Sequence, residues 1–353
     1  MYRIALDVMG GDHAPHATLD GARRALEAHE DLYLLLVGDE HRLRPMLEAH
    51  GIKGGLAARS EIVHASSVVS MDDKATSILK DKRDSSIRVA AKLVREGMAD
   101  GVVTMGHTGA AMIASMKVIG MLPGLDRPCL ASCLPNMKGK PTVLLDVGAN
   151  VDSKAEHLVH FAMMGAVYAE QVLGVRHPRV GILSVGEEDA KGSETTRNAA
   201  QVLRELDVNF GGNAEGRDIW NGSFDVVACD GFVGNVVLKS AESLAEGLIR
   251  GIKDAIMEGF MSRLGGLLIK PAMMRFMKKL DYAEYGGAPL LGVRGVSIIG
   301  HGRSNGRAVA SAIRAALRAC EFHVTERIHT ALSERLPQPG PSPMATGELP
   351  VQP

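Results

Sequence analysis

Aromatic side chains are scarce in this chain of 353 residues, with one Trp, five Tyr and seven Phe. A surface that stacks nucleic-acid bases needs more of them. An excess of positive charge is missing too, since 40 Lys and Arg stand against 41 Asp and Glu. With that balance, nothing argues for non-specific binding of nucleic acid. Cysteine is limited to Cys129, Cys133, Cys229 and Cys320, which form no zinc-spaced pairs and sit mostly in apolar segments. They read as reduced core residues of a cytosolic protein. No apolar run reaches the length of a membrane span. No signal-peptide pattern precedes the first strand at Ile4-Ala5-Leu6, so a cytoplasmic location is expected. What is present is enough chain for one large α/β domain or two smaller ones, with an ample core.

The most informative stretch is residues 100–119. Gly101-Val-Val-Thr-Met105 reads as a short buried strand and Gly106-His107-Thr108-Gly109 as a turn. Helical periodicity then continues through Met112, Met116 and Ile119. A strand that enters a helix through glycines leaves backbone N–H groups unpaired at the positive end of the helix dipole, which makes an anion cradle. Gly106 and Gly109 permit close approach, and Thr108 can cap the helix or donate to an oxyanion. Glycine turns are also ordinary βα punctuation, so alone the turn supports either reading.

Residues 225–239 repeat that grammar: a strand to Cys229, the turn Asp230-Gly-Phe-Val-Gly234, then a helix carrying Asn235 and Lys239 on one face. A lysine close to a helix N-terminus opposes the dipole, and such local conflicts concentrate at functional sites. A solvated surface lysine is the alternative. Elsewhere, Lys82-Arg-Asp-Ser85-Ser86 runs into a helix, with Ser85 and Ser86 as N-cap candidates, and offers a second phosphate contact or a plain capped helix. Asp12, His13 and His16 lack a convincing further ligand set, so no metal is expected there.

Strands alternate with helices along the rest of the chain, which predicts a doubly wound, three-layer α/β/α fold with a mostly parallel sheet. In such sheets ligands sit beyond the carboxyl ends of the strands, where nearly all the glycine-rich turns fall. Residues 213–219 read as a polar loop, and a single helix is expected after Gly300-His-Gly-Arg-Ser-Asn-Gly306 to about Arg335. That glycine run does not match G-x-G-x-x-G, and no Walker A pattern occurs. Residues 1–336 are read as one domain. The tail, 337–353, holds six of the fifteen prolines, which predicts disorder.

Taken jointly, these turns resemble the PlsX-type phosphate acyltransferases of bacterial phospholipid synthesis, over roughly residues 4–335. The motifs are Asp7-Val-Met-Gly-Gly-Asp-His-Ala-Pro15, Lys82-Arg-Asp-Ser-Ser86, Gly106-His-Thr-Gly-Ala110 and Leu145-Asp-Val-Gly-Ala-Asn150. Further on come Gly186-Glu-Glu188 with Lys191-Gly192, Gly216-Arg-Asp-Ile219, Cys229-Asp-Gly-Phe-Val-Gly-Asn235, Gly286-Gly-Ala-Pro-Leu-Leu-Gly292 and His301-Gly-Arg-Ser304. The family usually has Asn where this chain has His107, so no proton-transfer role is assigned to that residue. The resemblance implies a fold related to isocitrate and isopropylmalate dehydrogenases and a homodimer. It also implies transfer of a fatty acyl group from acyl carrier protein to inorganic phosphate, giving acyl phosphate for glycerol-3-phosphate acylation.

Phosphate is already an anionic nucleophile at neutral pH, so the task is positioning and oxyanion stabilisation rather than strong base catalysis. Lys239, Asn235, His301 and Asp230 are the expected catalytic group. Lys82, Ser85, Ser86, Gly106, His107, Thr108, Gly109 and Asp12 are the expected phosphate and oxyanion contacts, with Asp230 and Asp12 orienting the cations. No cofactor is expected, and no nucleophile elbow or Cys-His signature occurs. A nicotinamide-dependent oxidoreductase and a non-catalytic scaffold for carrier protein or membrane are the competing readings.

Within residues 259–280, Pro271 should start a new helix whose Met273, Phe276, Met277 and Leu280 form one apolar stripe opposite Arg275, Lys278 and Lys279. Such a basic amphipathic helix suits the surface of an anionic membrane, a partner subunit or the carrier protein. Peripheral membrane association, with handover of the acyl phosphate to a membrane-bound glycerol-3-phosphate acyltransferase, is expected.

Overall fold

The computed structural model describes residues 1–280 and 286–335, with the backbone alone at 278–280. The expected tail and the Leu280 side chain lie outside the described residues. The first flank comprises β1 (Tyr2–Asp7), α1 (His16–Ala28), β2 (Leu32–Gly38), α2 (Glu40–Ala49), β3 (Ser60–His64), α3 (Ser86–Arg95), β4 (Gly101–Thr104) and α4 (Thr108–Ala114). The second runs through β5 (Cys129–Leu134), β6 (Thr142–Leu145), α5 (Ala155–Gln171), β7 (Val180–Leu183), α6 (Glu194–Glu205), β8 (Phe210–Ala214), α7 (Gly216–Asn221), β9 (Val226–Ala228) and α8 (Gly231–Met257). The chain ends with α9 (Phe260–Leu280), β10 (Ala288–Leu291), β11 (Val296–Ile299), α10 (Gly306–Glu321) and α11 (Val324–Arg335).

The eleven strands among the described residues join one sheet in the order β3-β2-β1-β4-β11-β10-β5-β6-β9-β7-β8. Each flank is parallel, but β10 runs antiparallel to both β11 and β5, and β5 antiparallel to β6. The two parallel flanks therefore point in opposite directions, and their carboxyl ends meet over the central strands β10 and β5.

Apolar strands such as β2 are buried on both faces because helices cover both, as a parallel sheet requires. Each fully buried Leu there contributes about 1.5–3 kcal/mol. Helices α1 and α10 pack face to face over the first flank, and they can do so only because Gly21 lies against the Val309 side chain and the Gly306 carbonyl. The α5 helix, with α6 and α11 beside it, covers the second flank around Phe161 and Met164.

Four local expectations need correction. Residues 213–219 are not a loop, since Asn213 and Ala214 end β8 and Gly216 opens α7. The last helix is broken at His323, whose φ of 50° turns the chain between α10 and α11. After Ala114 the central helix widens into a π-turn, Ser115–Ile119, that ends at Gly120. Pro271 does not begin a helix but lies inside α9, which is continuous. Together α8 and α9 form an antiparallel hairpin, with Ile256 against Gly266, and nearly every side chain from residue 243 to 277 is exposed. At about 1.5 Å per residue, the 27 residues of α8 span about 40 Å, far beyond the sheet.

Candidate active site

A cleft of about 390 Å³ opens where the two flanks meet. Leu130, Ser132 and Cys133 of β5 and Ala288 of β10 form its floor. Thr108 and the turn residues Gly300, His301 and Gly302 stand on one side, and Val147, Gly148 and the first turns of α8 on the other. From α8 come Asn235, Leu238, Lys239 and Glu242, spaced three or four apart and hence on one face.

Each wall is held by a buried carboxyl group that sequence reasoning did not single out. Asp7, at the end of β1, accepts a hydrogen bond from Thr104 Oγ1 at 2.7 Å, and Thr104 Oγ1 in turn accepts from Gly106 N at 3.0 Å. Burial pushes the Asp7 carboxyl above its ordinary pKa, an effect that the hydroxyls of Ser86 and Thr104 and the amides of Met9 and Gly10 oppose. Gly10 packs so tightly here that an added Cβ would touch Asp7 Oδ2. Asp146, at the end of β6, is also fully buried. Its carboxylate accepts from the backbone N–H groups of Leu130, Gly148, Ala149 and Asn150, at 3.0, 3.2, 3.0 and 2.7 Å, and from Asn150 Nδ2 at 2.9 Å. Burial raises this pKa as well, against the lowering by those donors. The first turn of α8 rests on this loop. A Cβ on Gly231 would strike the Asn150 carbonyl, and one on Gly234 the Asp146 carbonyl. The two glycines three apart in Gly231-Phe-Val-Gly234 were the available signal of close approach.

The expected residues divide into two sets. Lys239, Asn235, His301 and Thr108 converge on the cleft. Lys239 Nζ donates to Glu242 Oε2 at 2.7 Å. His301 Nδ1 accepts from Arg303 N at 3.3 Å, which leaves Nε2 to carry the ring proton. Gly106 and Gly109 shape the turn. His107, not Thr108, caps α4, its Nδ1 accepting from Ala110 N at 3.3 Å, so Thr108 is left exposed at the positive end of the helix.

The second set is engaged elsewhere. Lys82 Nζ donates to Asp73 Oδ2 at 2.5 Å and to the Val68 carbonyl at 2.7 Å. Ser85 and Ser86 are buried; the Ser86 hydroxyl faces Asp7, and the Ser85 hydroxyl has no hydrogen-bond partner among the described residues. Asp230 caps α8, accepting from Phe232 N at 2.9 Å, rather than orienting a cation. Asp12, in the turn after β1, is not engaged away from the cleft but packs against the turn after β11, its N–H donating to the Gly302 carbonyl at 2.8 Å and its carboxylate lying beside Gly302 at the cleft edge.

Nucleophilic catalysis by cysteine does not fit this geometry. Cys133 lines the cleft, but burial pushes its thiol up to about 12, and burial likewise raises Cys129 and Cys229. All four cysteines are free and buried, as expected. The three groups closest to a metal-ligand set among the described residues are Asp126, Glu156 and His157. His157 Nδ1 accepts from Lys154 N at 3.1 Å, so Nε2 carries a proton and faces Asp126 as a donor, not as a ligand.

A protein family described as fatty acid synthesis protein matches residues 2–327. A phosphate acyltransferase from Trichlorobacter lovleyi is 48% identical over 332 residues, which cover 94% of this chain and 95% of the relative. The chain belongs to this family. A second phosphate acyltransferase, from Desulfitobacterium hafniense, is 48% identical over 333 residues, covering 94% and 98%. The protein is therefore an acyltransferase, and the resemblance to the PlsX-type family is borne out along the whole matched length. Among solved structures, a phosphotransacetylase from Streptococcus pyogenes superposes with a TM-score of 0.61 at 14% identity, covering 94% of both chains. A phosphotransacetylase from Staphylococcus aureus gives 0.57 at 14% identity, again over 94% of each. At that identity the likeness shows a shared fold, and the mostly parallel α/β/α architecture expected for this family is what the chain adopts.

Proposed function

We propose that this acyltransferase moves a fatty acyl group from the thioester of acyl carrier protein to inorganic phosphate, releasing acyl phosphate. The observation that carries this reading is the cleft itself. It gathers Lys239, His301, Asn235 and the start of α4 around a partly apolar floor, and it contains no thiol able to ionise near neutral pH. Such a site suits an anionic nucleophile brought from solution.

A phosphate oxygen held by Lys239 and the α4 N-terminus attacks the thioester carbonyl carbon. The new C–O bond forms a tetrahedral oxyanion, to which Asn235 and His301 Nε2–H donate. Collapse breaks the C–S bond, and the carrier-protein thiolate leaves and takes up a proton from solvent. The apolar floor keeps water from the labile product.

The test is turnover of an acyl carrier protein thioester with and without phosphate. Thioester loss should depend on phosphate and yield a product that hydroxylamine traps. Hydrolysis at the full rate without phosphate, or reduction of a nicotinamide instead, would overturn the proposal.

The α8–α9 hairpin supports peripheral association with an anionic membrane. No helix among the described residues is long and apolar enough to cross one. Yet Phe260, Met261, Leu267 and Leu268 are strongly exposed at and beside the hairpin tip, with Arg250, Lys253, Arg263 and Lys270 nearby. Apolar groups can enter the headgroup boundary while the cations meet anionic lipid. Acyl phosphate made there would be released next to a membrane-bound acyltransferase.

A further inference from the structure

We propose that Glu242 selects the acceptor of the reaction: it admits a hydrogen phosphate anion, whose P–O–H donates to the carboxylate, and rejects oxyanions that carry no proton. The inference rests on the acyl-transfer reading above and names the residue that makes phosphate the acceptor.

A carboxylate is an unexpected group in a cleft that takes up an anion. Glu242 is the one acidic side chain among the described residues that line it, with Asp12 outside at its edge. Its side chain is 18% exposed against 49% for Lys239, so the acid is the better covered member of the pair. Oε2 accepts from Lys239 Nζ at 2.7 Å, and Oε1 accepts from no described residue. An i,i+3 ion pair this open contributes little to stability, so folding alone gives no reason for an acid here. The two formal charges cancel, and a fully ionised anion meets the negative one wherever it meets the positive one.

The geometry lets one ligand touch both groups. Lys239 has three N–H donors, and two acceptors on neighbouring donors of one ammonium stand about 4.5 Å apart. A tetrahedral oxyanion that takes one of these donors therefore brings a second oxygen within reach of Glu242. Phosphate keeps at least one proton at neutral pH, and its P–O–H can donate to the carboxylate in a short charge-assisted bond. Sulfate has much the same size and shape but no proton, so its oxygen would face Glu242 as one negative charge against another. Such a repulsive element discriminates more sharply than a missing contact. The proton stays on phosphate throughout, so selection makes and breaks no covalent bond.

Calorimetric titration of the whole protein with inorganic phosphate and with sulfate, in chloride buffer at neutral pH, reads the selection without turnover. Wild type should prefer phosphate by at least about a hundredfold, less than a fully enclosed polar site achieves because this cleft is partly open. Glu242→Gln keeps the side-chain length but removes the charge, and its amide can donate to either anion. The preference should then fall at least about tenfold, chiefly through tighter sulfate, and sulfate should become a correspondingly stronger inhibitor of phosphate-dependent turnover. Glu246→Gln, one turn further along α8 and outside the cleft lining, should leave the preference unchanged. Wild type that binds both anions alike would overturn the proposal while leaving the acyl-transfer reading intact. A Glu242→Gln variant whose two affinities change by the same factor would overturn it too, because the glutamate would then act only by holding Lys239. Wild type that binds neither anion and shows no phosphate-dependent turnover would sink the acyl-transfer reading itself.

Discussion

Lys239 Nζ lies 2.7 Å from Glu242 Oε2, one turn further along α8, and both side chains face the same cleft. The glutamate is mostly covered while the lysine is 49% exposed, so the ammonium is held over the opening rather than swinging in solvent. Incoming phosphate can share that cation. Lys239→Ala should therefore cost about 2–4 kcal/mol in kcat/KM for phosphate, comparable to removing an oxyanion or charged contact. Folding should barely change, because such an exposed pair contributes at most about 1 kcal/mol and alanine suits a helix. Initial rates against phosphate concentration provide the measure. A folded variant with unaltered phosphate kinetics would make Lys239 a solvated surface residue.

Asp146 and Gly234 should respond differently to substitution. Asp146→Ala leaves the N–H groups of Leu130, Gly148, Ala149 and Asn150 without their acceptor in a buried place. Each orphaned donor costs about 1–3 kcal/mol, so a total loss of stability above about 4 kcal/mol is expected in chemical denaturation. Gly234→Ala instead forces a methyl against the Asp146 carbonyl and must push back the first turn of α8. Because Asn235 and Lys239 ride on that helix, kcat/KM should fall at least tenfold, as a misplacement of about 1 Å can cost a hundredfold. Wild-type kinetics in Gly234→Ala would show that the seat of α8 does not set the site.

These two residues also mark where the sequence stopped being legible. The strand–turn–helix units could be read because apolar runs such as β2 and periodic helices such as α10 carry their burial in their own spacing. The reversal of direction at β10 could not, since four residues, Ala288-Pro-Leu-Leu291, pair by long-range contacts that no local pattern records. Lys239 could be found because a lysine near a helix N-terminus breaks a local rule, Asn235 because it shares that face and Thr108 because it follows a glycine turn, whereas His301 came only with the joint motif resemblance. Lys82, Ser85 and Ser86 looked alike in sequence, but a capping serine facing solvent and one facing a buried acid such as Asp7 share the same pattern. Asp7 and Asp146 themselves stood in the motifs without an assigned role, because burial of a carboxyl is a property of the neighbours.

The Lys82–Asp73 pair predicts a stability change in acid. The Lys82 ammonium and the Ser70 hydroxyl and amide hold the Asp73 carboxyl at about 2, below its ordinary 3.8. The folded state therefore binds fewer protons than the unfolded chain in that window. The contribution is present above the ordinary value and is lost as pH falls from 3.8 towards about 2. Denaturation midpoints of wild type and Asp73→Asn should differ at neutral pH and converge below about pH 2.5. A gap that persists there would mean that the asparagine acts through packing. Lys82→Ala should lower stability while leaving the KM for phosphate unchanged, since its head group is turned to Asp73 and Val68.

The hairpin prediction concerns where its apolar surface goes. Met273 and Met277 turn towards α8, whereas Phe260 and Leu268, at 81% and 76% exposed, project from the tip and the outer side. If the hairpin rests on a membrane, wild type should float with liposomes containing anionic lipid and much less with neutral ones, each cation near the surface adding about 1 kcal/mol. Phe260→Glu and Leu268→Glu should abolish flotation, because a carboxylate at the tip meets both the apolar boundary and the negative surface. Phe276→Glu and Met277→Glu, on the side towards α8, should weaken it less. Sedimentation of the same variants separates a membrane contact from a subunit contact. If wild type never floats, the membrane reading falls, and if all four variants float like wild type while their sedimentation mass drops, the hairpin packs against a second copy of the chain.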